Sequence, residues 1–129
     1  MTAIRLRLPI LPSIKAARRG RFPVADKASR TVNGIVFDSK KEATRYSELL
    51  LLQRAGEITS LEPQVEFKVV INRKHFCKFT VDFYYVDKRK NVAVYEEIKS
   101  TGTAKDAAYR LRRKAAELFH GVEITELVR

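Results

Sequence analysis

A chain of 129 residues is long enough for one domain with one modest core and too short for two. Its net charge of +11 sets it apart from proteins indifferent to polyanions, because summed positive potential attracts nucleic acid or acidic surfaces. No stretch approaches the ~20 apolar residues that span a bilayer, and the N-terminal run lacks a long apolar core followed by a small-residue cleavage site. A cytoplasmic protein without a membrane partner is expected. Cys77 stands alone, so no internal disulfide forms, and no Cys/His cluster offers a zinc site; a buried, inert thiol is expected.

Residues 1–30 hold eight basic residues, Arg18, Arg19 and Arg21 among them, against Asp26 alone. This segment therefore carries +7 of the +11, together with three of the four prolines and no sustained period. It reads as a flexible basic arm able to touch DNA, or as a merely solubilising extension. The domain itself is expected over residues 31–129.

Asn33-Gly34 between Val32 and Ile35 predicts a tight hairpin turn, since both residues tolerate positive φ. Ser39 followed three residues later by Glu42 has the capping-box pattern, and Ala43, Tyr46, Leu49 and Leu50 continue at helical spacing. A helix is predicted from 39 to 55. Gln64 to Ile71 reads as a strand broken by Asn72-Arg73-Lys74, and a second strand covers 77–86. In that strand Phe79, Val81, Phe83 and Tyr85 alternate with Thr80, Asp82 and Tyr84. Residues 87–91 turn the chain, and a third strand over 92–99 separates Val92, Val94, Glu96 and Ile98 from Ala93, Tyr95, Glu97 and Lys99. From Ala104 to Phe119 the apolar residues Leu111, Ala115, Leu118 and Phe119 extend a helical stripe predicted to dock on the sheet, with Gly121 as its cap. A last strand is predicted over 122–127. Helix, three strands, helix, strand gives a mixed α/β layer.

If Val86 pairs with Asn91, Asp82 lies opposite Tyr95 and Thr80 opposite Glu97, which puts Asp82, Glu97 and Lys99 on one face. Diagonal carboxylates ~7 Å apart can share a hard divalent cation such as Mg²⁺, which prefers oxygen ligands. The cation would polarise a phosphodiester, while Lys99 orients water or steadies charge on the phosphoryl oxygens. Spacing favours Glu97 over Glu96 as the ligand, because Glu96 shares its face with Val92, Val94 and Ile98; a one-residue bulge would reverse the choice. Glu42 caps the helix or points to the metal, and both roles stay open. Taken singly, Asp82 and a Glu97–Lys99 pair are ordinary surface features.

The combination of helix-borne Glu42, Thr80-Val81-Asp82-Phe83, Tyr95-Glu96-Glu97-Ile98-Lys99-Ser100 and a basic helix resembles the PD-(D/E)XK nuclease superfamily. It looks most like small phage-type endonucleases related to Holliday-junction resolvases. The likeness covers roughly residues 31–129, with Val81 in place of the proline that names the motif. It implies a restriction-endonuclease-like mixed β-sheet flanked by helices. It implies Asp82 and Glu97 as metal ligands with the Ile98 carbonyl, Lys99 as the catalytic lysine, and Glu42 as an auxiliary acid. Mg²⁺ is the implied cofactor, with Mn²⁺ as a substitute, and Gln64 is a candidate site contact.

Lys105, Arg110, Arg112, Arg113 and Lys114 follow the site directly and are candidate phosphate contacts; a solvated helix face is the plainer account. Tyr84, Tyr95 and Tyr109 stack on bases or belong to the core. His75 and His120 are isolated and read as turn or surface residues. The expected function is metal-dependent endonuclease action on branched DNA in a bacterial or phage-infected cytoplasm, with a homodimer as one arrangement for cutting two strands. A non-catalytic nucleic-acid-binding accessory protein of the same fold is the alternative.

Overall fold

Asn33 and Gly34 hold φ of 52° and 78°, the positive values a two-residue hairpin turn requires. They join β1 (Thr31–Val32) to β2 (Ile35–Val36), with Val32 opposite Ile35, after a single 3-10 turn at Ala28–Arg30. The computed structural model describes residues 25–129 except 101, 103 and 104. Arg18, Arg19 and Arg21, and Ala104 at the expected start of the second helix, lie outside the described residues.

Helix α1 (Lys40–Arg54) starts where the capping pattern places it: the Ser39 hydroxyl accepts a hydrogen bond from the Glu42 N–H at 3.2 Å. Ala43, Tyr46 and Leu49 form its buried stripe and pack with Phe37, Ile58, Phe83, Tyr85 and Ile98 as a first core.

The two strands that follow are longer than the sequence predicts. β3 runs Ile58–Ile71 and β4 Lys74–Asp87, because Asn72 and Arg73, at φ 52° and 64°, make a tight two-residue turn between strands instead of a break. Pro63 is tolerated inside β3 because β3 is the edge of the sheet, and a register shift between Thr59 and Glu62 precedes it. β5 (Val92–Lys99) pairs antiparallel with β4, and β6 (Ile124–Val128) pairs parallel with β5. The described residues thus form a mixed α/β fold: a four-stranded sheet in the order β3-β4-β5-β6, a two-stranded ribbon and two main helices.

Helix α2 (Ala107–His120) supplies the crossover that a parallel β5–β6 pair needs. It is capped by the Asp106 carboxylate, which accepts from the Ala108 N–H at 3.1 Å. Gly121 ends it at φ 67°, a left-handed value that favours glycine. The Gly121 and Val122 N–H groups both donate to the Glu117 carbonyl, which holds Val122 in the cap and delays β6 to Ile124.

The face of α2 that docks differs from the predicted stripe. Tyr109 and Ala116 are buried, while Leu111, Leu118 and Phe119 are exposed. The helix is rotated by polar anchors that an apolar pattern does not register. Tyr109 and Arg113 both bind Glu126 of β6, and the Glu117 carboxylate accepts from the Ile124 N–H. The second core joins Tyr109, Ala116 and Ile124 to Phe67, Val69, Phe79 and Val81, with Tyr95 and the half-buried Cys77 at its margin. Phe79, Val81, Phe83 and Tyr85 of β4 share one face as predicted and are all buried, but they divide between the two cores, because strand twist accumulates over fourteen residues.

Candidate active site

The β4–β5 hairpin pairs Val86 with Ala93 and Phe83 with Glu96, two residues away from the expected register. The turn closes at Asp87 and Val92 because the Asp87 carboxylate accepts from the Arg89 and Lys90 N–H groups and Asn91 takes φ 55°. A shift of two keeps every side chain on its face. Continuing it brings Asp82 level with Glu97, in place of the expected Tyr95, and Asp82 also accepts from the Ile98 N–H at 2.7 Å.

A pocket of about 480 Å³ opens at this point, lined by Glu42, Asp82, Glu97, Lys99 and Gln64 from the expected set. Asp38, Glu66 and Thr80 also line it and were not singled out in the sequence. Thr80 was legible, being on the same face as Asp82, and so was Glu66, two residues beyond Gln64 in a predicted strand; Asp38 lies in a segment whose course the sequence leaves open. Glu42 stands at the helix start and at the pocket together: its N–H donates to the Ser39 hydroxyl, and the residue lines the pocket.

Glu97 is 2% exposed, and its Oε1 has no hydrogen-bond partner among the described residues. Its carboxyl is pushed up to about 9, first by burial and then by the neighbouring Asp82. Glu42 is pushed up to about 7, again by burial and then by the Asp82 charge. Lys99 approaches Glu97 Oε2 at 3.9 Å, and its Nζ lies 5.1 Å from the centroid of the Tyr109 ring. The Tyr109 hydroxyl donates to Glu126 at 2.7 Å, and Glu126 meets Arg113 at 3.2 Å. Burial, then the bond to Glu126, raises the Tyr109 hydroxyl well above its usual value. Tyr109 is therefore a core residue that also abuts the site.

Glu96 is equally buried, but its charge is met. Arg45 of α1 grips it with Nε at 2.7 Å and Nη2 at 2.9 Å, and the Tyr85 hydroxyl donates at 2.8 Å. The sequence places Glu96 among apolar neighbours and offers it no partner, because Arg45 lies 51 positions away. With its oxygens engaged, Glu96 leaves Glu97 as the carboxylate free to serve the pocket. The Arg45–Glu96 pair also ties the helix bearing Glu42 to the strand bearing Glu97.

Among the candidate phosphate contacts, Lys105, Arg110, Arg112 and Lys114 are exposed. Arg113 departs from that group: it is half-buried, turned inward to Glu126, because α2 docks through this face. His75 and His120 are exposed; His120 Nε2 lies 2.8 Å from the Lys68 carbonyl.

Among the described residues no three His, Cys, Asp or Glu side chains stand close enough together to hold a metal ion as they are. The donor chemistry nevertheless fits a hard divalent cation. Asp82, Glu97 and Glu42 present carboxylate oxygens to one pocket, and the unpartnered, buried Glu97 Oε1 is a donor with nothing to bind. Such an atom costs roughly 1–3 kcal/mol if left unsatisfied. Among the described residues no helix is long and apolar enough to cross a membrane.

A family model described as protein of unknown function (DUF1064) matches residues 25–125. No curated protein and no solved structure matches the chain.

Proposed function

The chain belongs to the DUF1064 family, and we propose that it is a Mg²⁺-dependent endodeoxyribonuclease of restriction-endonuclease-like fold that hydrolyses phosphodiester bonds in branched DNA. The observation that carries this reading is the buried Glu97, whose Oε1 has no hydrogen-bond partner among the described residues, lining one open pocket with Asp82, Glu42 and Lys99. Asp82, Glu97 and the Ile98 carbonyl would hold the cation, with Glu42 as an auxiliary acid, and Mn²⁺ would substitute. A divalent cation there supplies Lewis acidity toward a phosphodiester oxygen and toward the attacking water.

The chain's own groups do the rest. To hold a cation, Glu97 and Glu42 would give up to water the protons that burial and Asp82 keep on them, and the two negative charges so formed would offset the cation's two positive ones. Lys99 is the cation nearest Glu97 and is placed to meet a non-bridging phosphoryl oxygen and steady its developing charge. Arg45 keeps Glu96 out of that chemistry and α1 in place.

A non-catalytic nucleic-acid-binding protein would keep the basic surface but gain nothing from Glu97. An apolar residue of similar size would relieve the buried, unpartnered oxygen. Two copies acting together would cut two strands, which light scattering of the free and DNA-bound protein tests. The activity itself is tested by offering labelled four-way junction, duplex and RNA substrates with Mg²⁺, Mn²⁺ or chelator. Metal-dependent cutting of the junction, lost in Lys99→Ala, supports the reading. Binding of all substrates with no cutting under any metal would replace it with the accessory role.

A further inference from the structure

The β3–β4 hairpin carries a second charged surface beyond α2. From Phe67 to Lys78 it holds Lys68, Arg73, Lys74 and Lys78 and no acidic residue. All four are exposed, the Lys68 and Lys78 side chains by 71% and 56%. The two-residue turn at Asn72-Arg73 keeps this end narrow, a ribbon two strands wide.

Its apolar feature is equally placed. Val69 pairs with Cys77 but Val70 pairs with His75, so Phe76 is the extra residue of a bulge and has no partner across the ladder. It is 53% exposed. A bulge re-aims a side chain, and here it turns a large aromatic group to solvent amid four cations.

The ribbon begins at the pocket. Glu66 and Thr80, opposite each other in β3 and β4, line the cavity, and Glu66 meets Lys78 at 3.3 Å and Lys68 at 4.0 Å. From Thr80 to Lys74 the strand rises ~20 Å at ~3.3 Å per residue. A two-stranded ribbon fits the major groove, ~12 Å wide, and exposed surface ion pairs such as those of Glu66 yield readily to phosphate.

We propose that the β3–β4 ribbon is a DNA-gripping arm: its four cations neutralise phosphates beside the cleaved bond, and bulged Phe76 packs against an exposed base at a branch. This rests on the nuclease reading for the identity of the polyanion. An anionic lipid surface shares the cation-plus-aromatic chemistry, but the continuity of the ribbon with a carboxylate-and-lysine pocket favours DNA.

The test is fluorescence anisotropy of labelled junction and duplex across a salt series in chelator, using the full chain. Lys68→Gln/Arg73→Asn/Lys74→Gln keeps the turn, since Asn accepts positive φ. Losing three phosphate contacts lowers the slope of log K against log salt by roughly 2–3 and weakens binding on the order of tenfold or more. Phe76→Ala is expected to weaken junction binding several-fold with the slope unchanged, because no charge is lost. Circular dichroism melts matching wild type establish that both variants fold. Wild-type slope and affinity in the triple variant overturn the proposal while leaving the nuclease reading intact if that variant still cuts. Failure of the wild type to bind any DNA overturns both. Phe76-dependent binding to phosphatidylserine vesicles with unaltered DNA binding overturns it in favour of a lipid surface. A reduced slope in a protein that never cuts supports the arm and sinks the nuclease.

Discussion

Raising the pH in the presence of a chelator is expected to destabilise the folded chain, and Glu97 is the main cause. Its carboxyl is held at about 9 and that of Glu42 at about 7, both above the ordinary value of 4.5. The folded chain therefore keeps protons that the unfolded chain sheds. Stability from these groups is full below about 4.5 and is lost as the pH rises through about 7 and then about 9. Each group contributes a slope of at most about 1.4 kcal/mol per pH unit between its unfolded and folded values. Glu97 is nearly inaccessible to water, so solvent screening does little to reduce its share. Urea unfolding followed by circular dichroism, at pH 5.5 to 8.5 in chelator, reads the slope directly. Glu97→Gln, which keeps the shape and cannot ionise, should remove the larger part of it, and Mg²⁺ should raise wild-type stability most at the alkaline end. A flat profile in the wild type, or an unchanged slope in Glu97→Gln, would refute the reasoning.

Arg45→Met should destabilise the chain by about 3–5 kcal/mol, because it leaves the buried Glu96 charge unpaired. Adding Glu96→Leu should recover most of that loss in the same urea assay, short of the share due to the Tyr85 hydroxyl left without its acceptor. Tyr109→Leu removes the ring beside Lys99 and should slow cleavage about fivefold, equivalent to roughly 1 kcal/mol, with DNA affinity unchanged. Tyr109→Phe keeps the ring and should cost only about 1 kcal/mol of stability for the lost bond to Glu126. Gly121→Ala should lower stability by about 1–2 kcal/mol, since φ 67° brings an alanine Cβ too close to the following carbonyl and alanine has no side-chain hydrogen bond to offset it.

What the sequence shows of the site is governed by strand parity. Asp82, Glu97 and Lys99 share one face in both the expected and the observed register, because a difference of two residues leaves faces unchanged. Glu42 was legible as a capping residue, and only the packing of α1 shows that its carboxylate also reaches the pocket. The orientation of α2 was not legible. Its apolar residues suggest one stripe, and the polar contacts of Tyr109, Arg113 and Glu117 with β6 select another. Arg45 and Glu96 lie 51 positions apart, so nothing local announces their pairing. The same holds for the hairpin ends: Asn72-Arg73 reads as a break, but both residues accept positive φ and close a turn.

The central claim is that Asp82 and Glu97 form a metal-dependent phosphodiester-cleaving centre. It is tested most directly by measuring binding and single-turnover cleavage of one labelled four-way junction on the same samples of wild type and Asp82→Asn, with Mg²⁺ and with chelator. The account predicts that wild type cuts only with Mg²⁺, while Asp82→Asn binds the junction as tightly but cuts at background rate. Equal cutting by both proteins, or cutting by wild type in chelator, would contradict it.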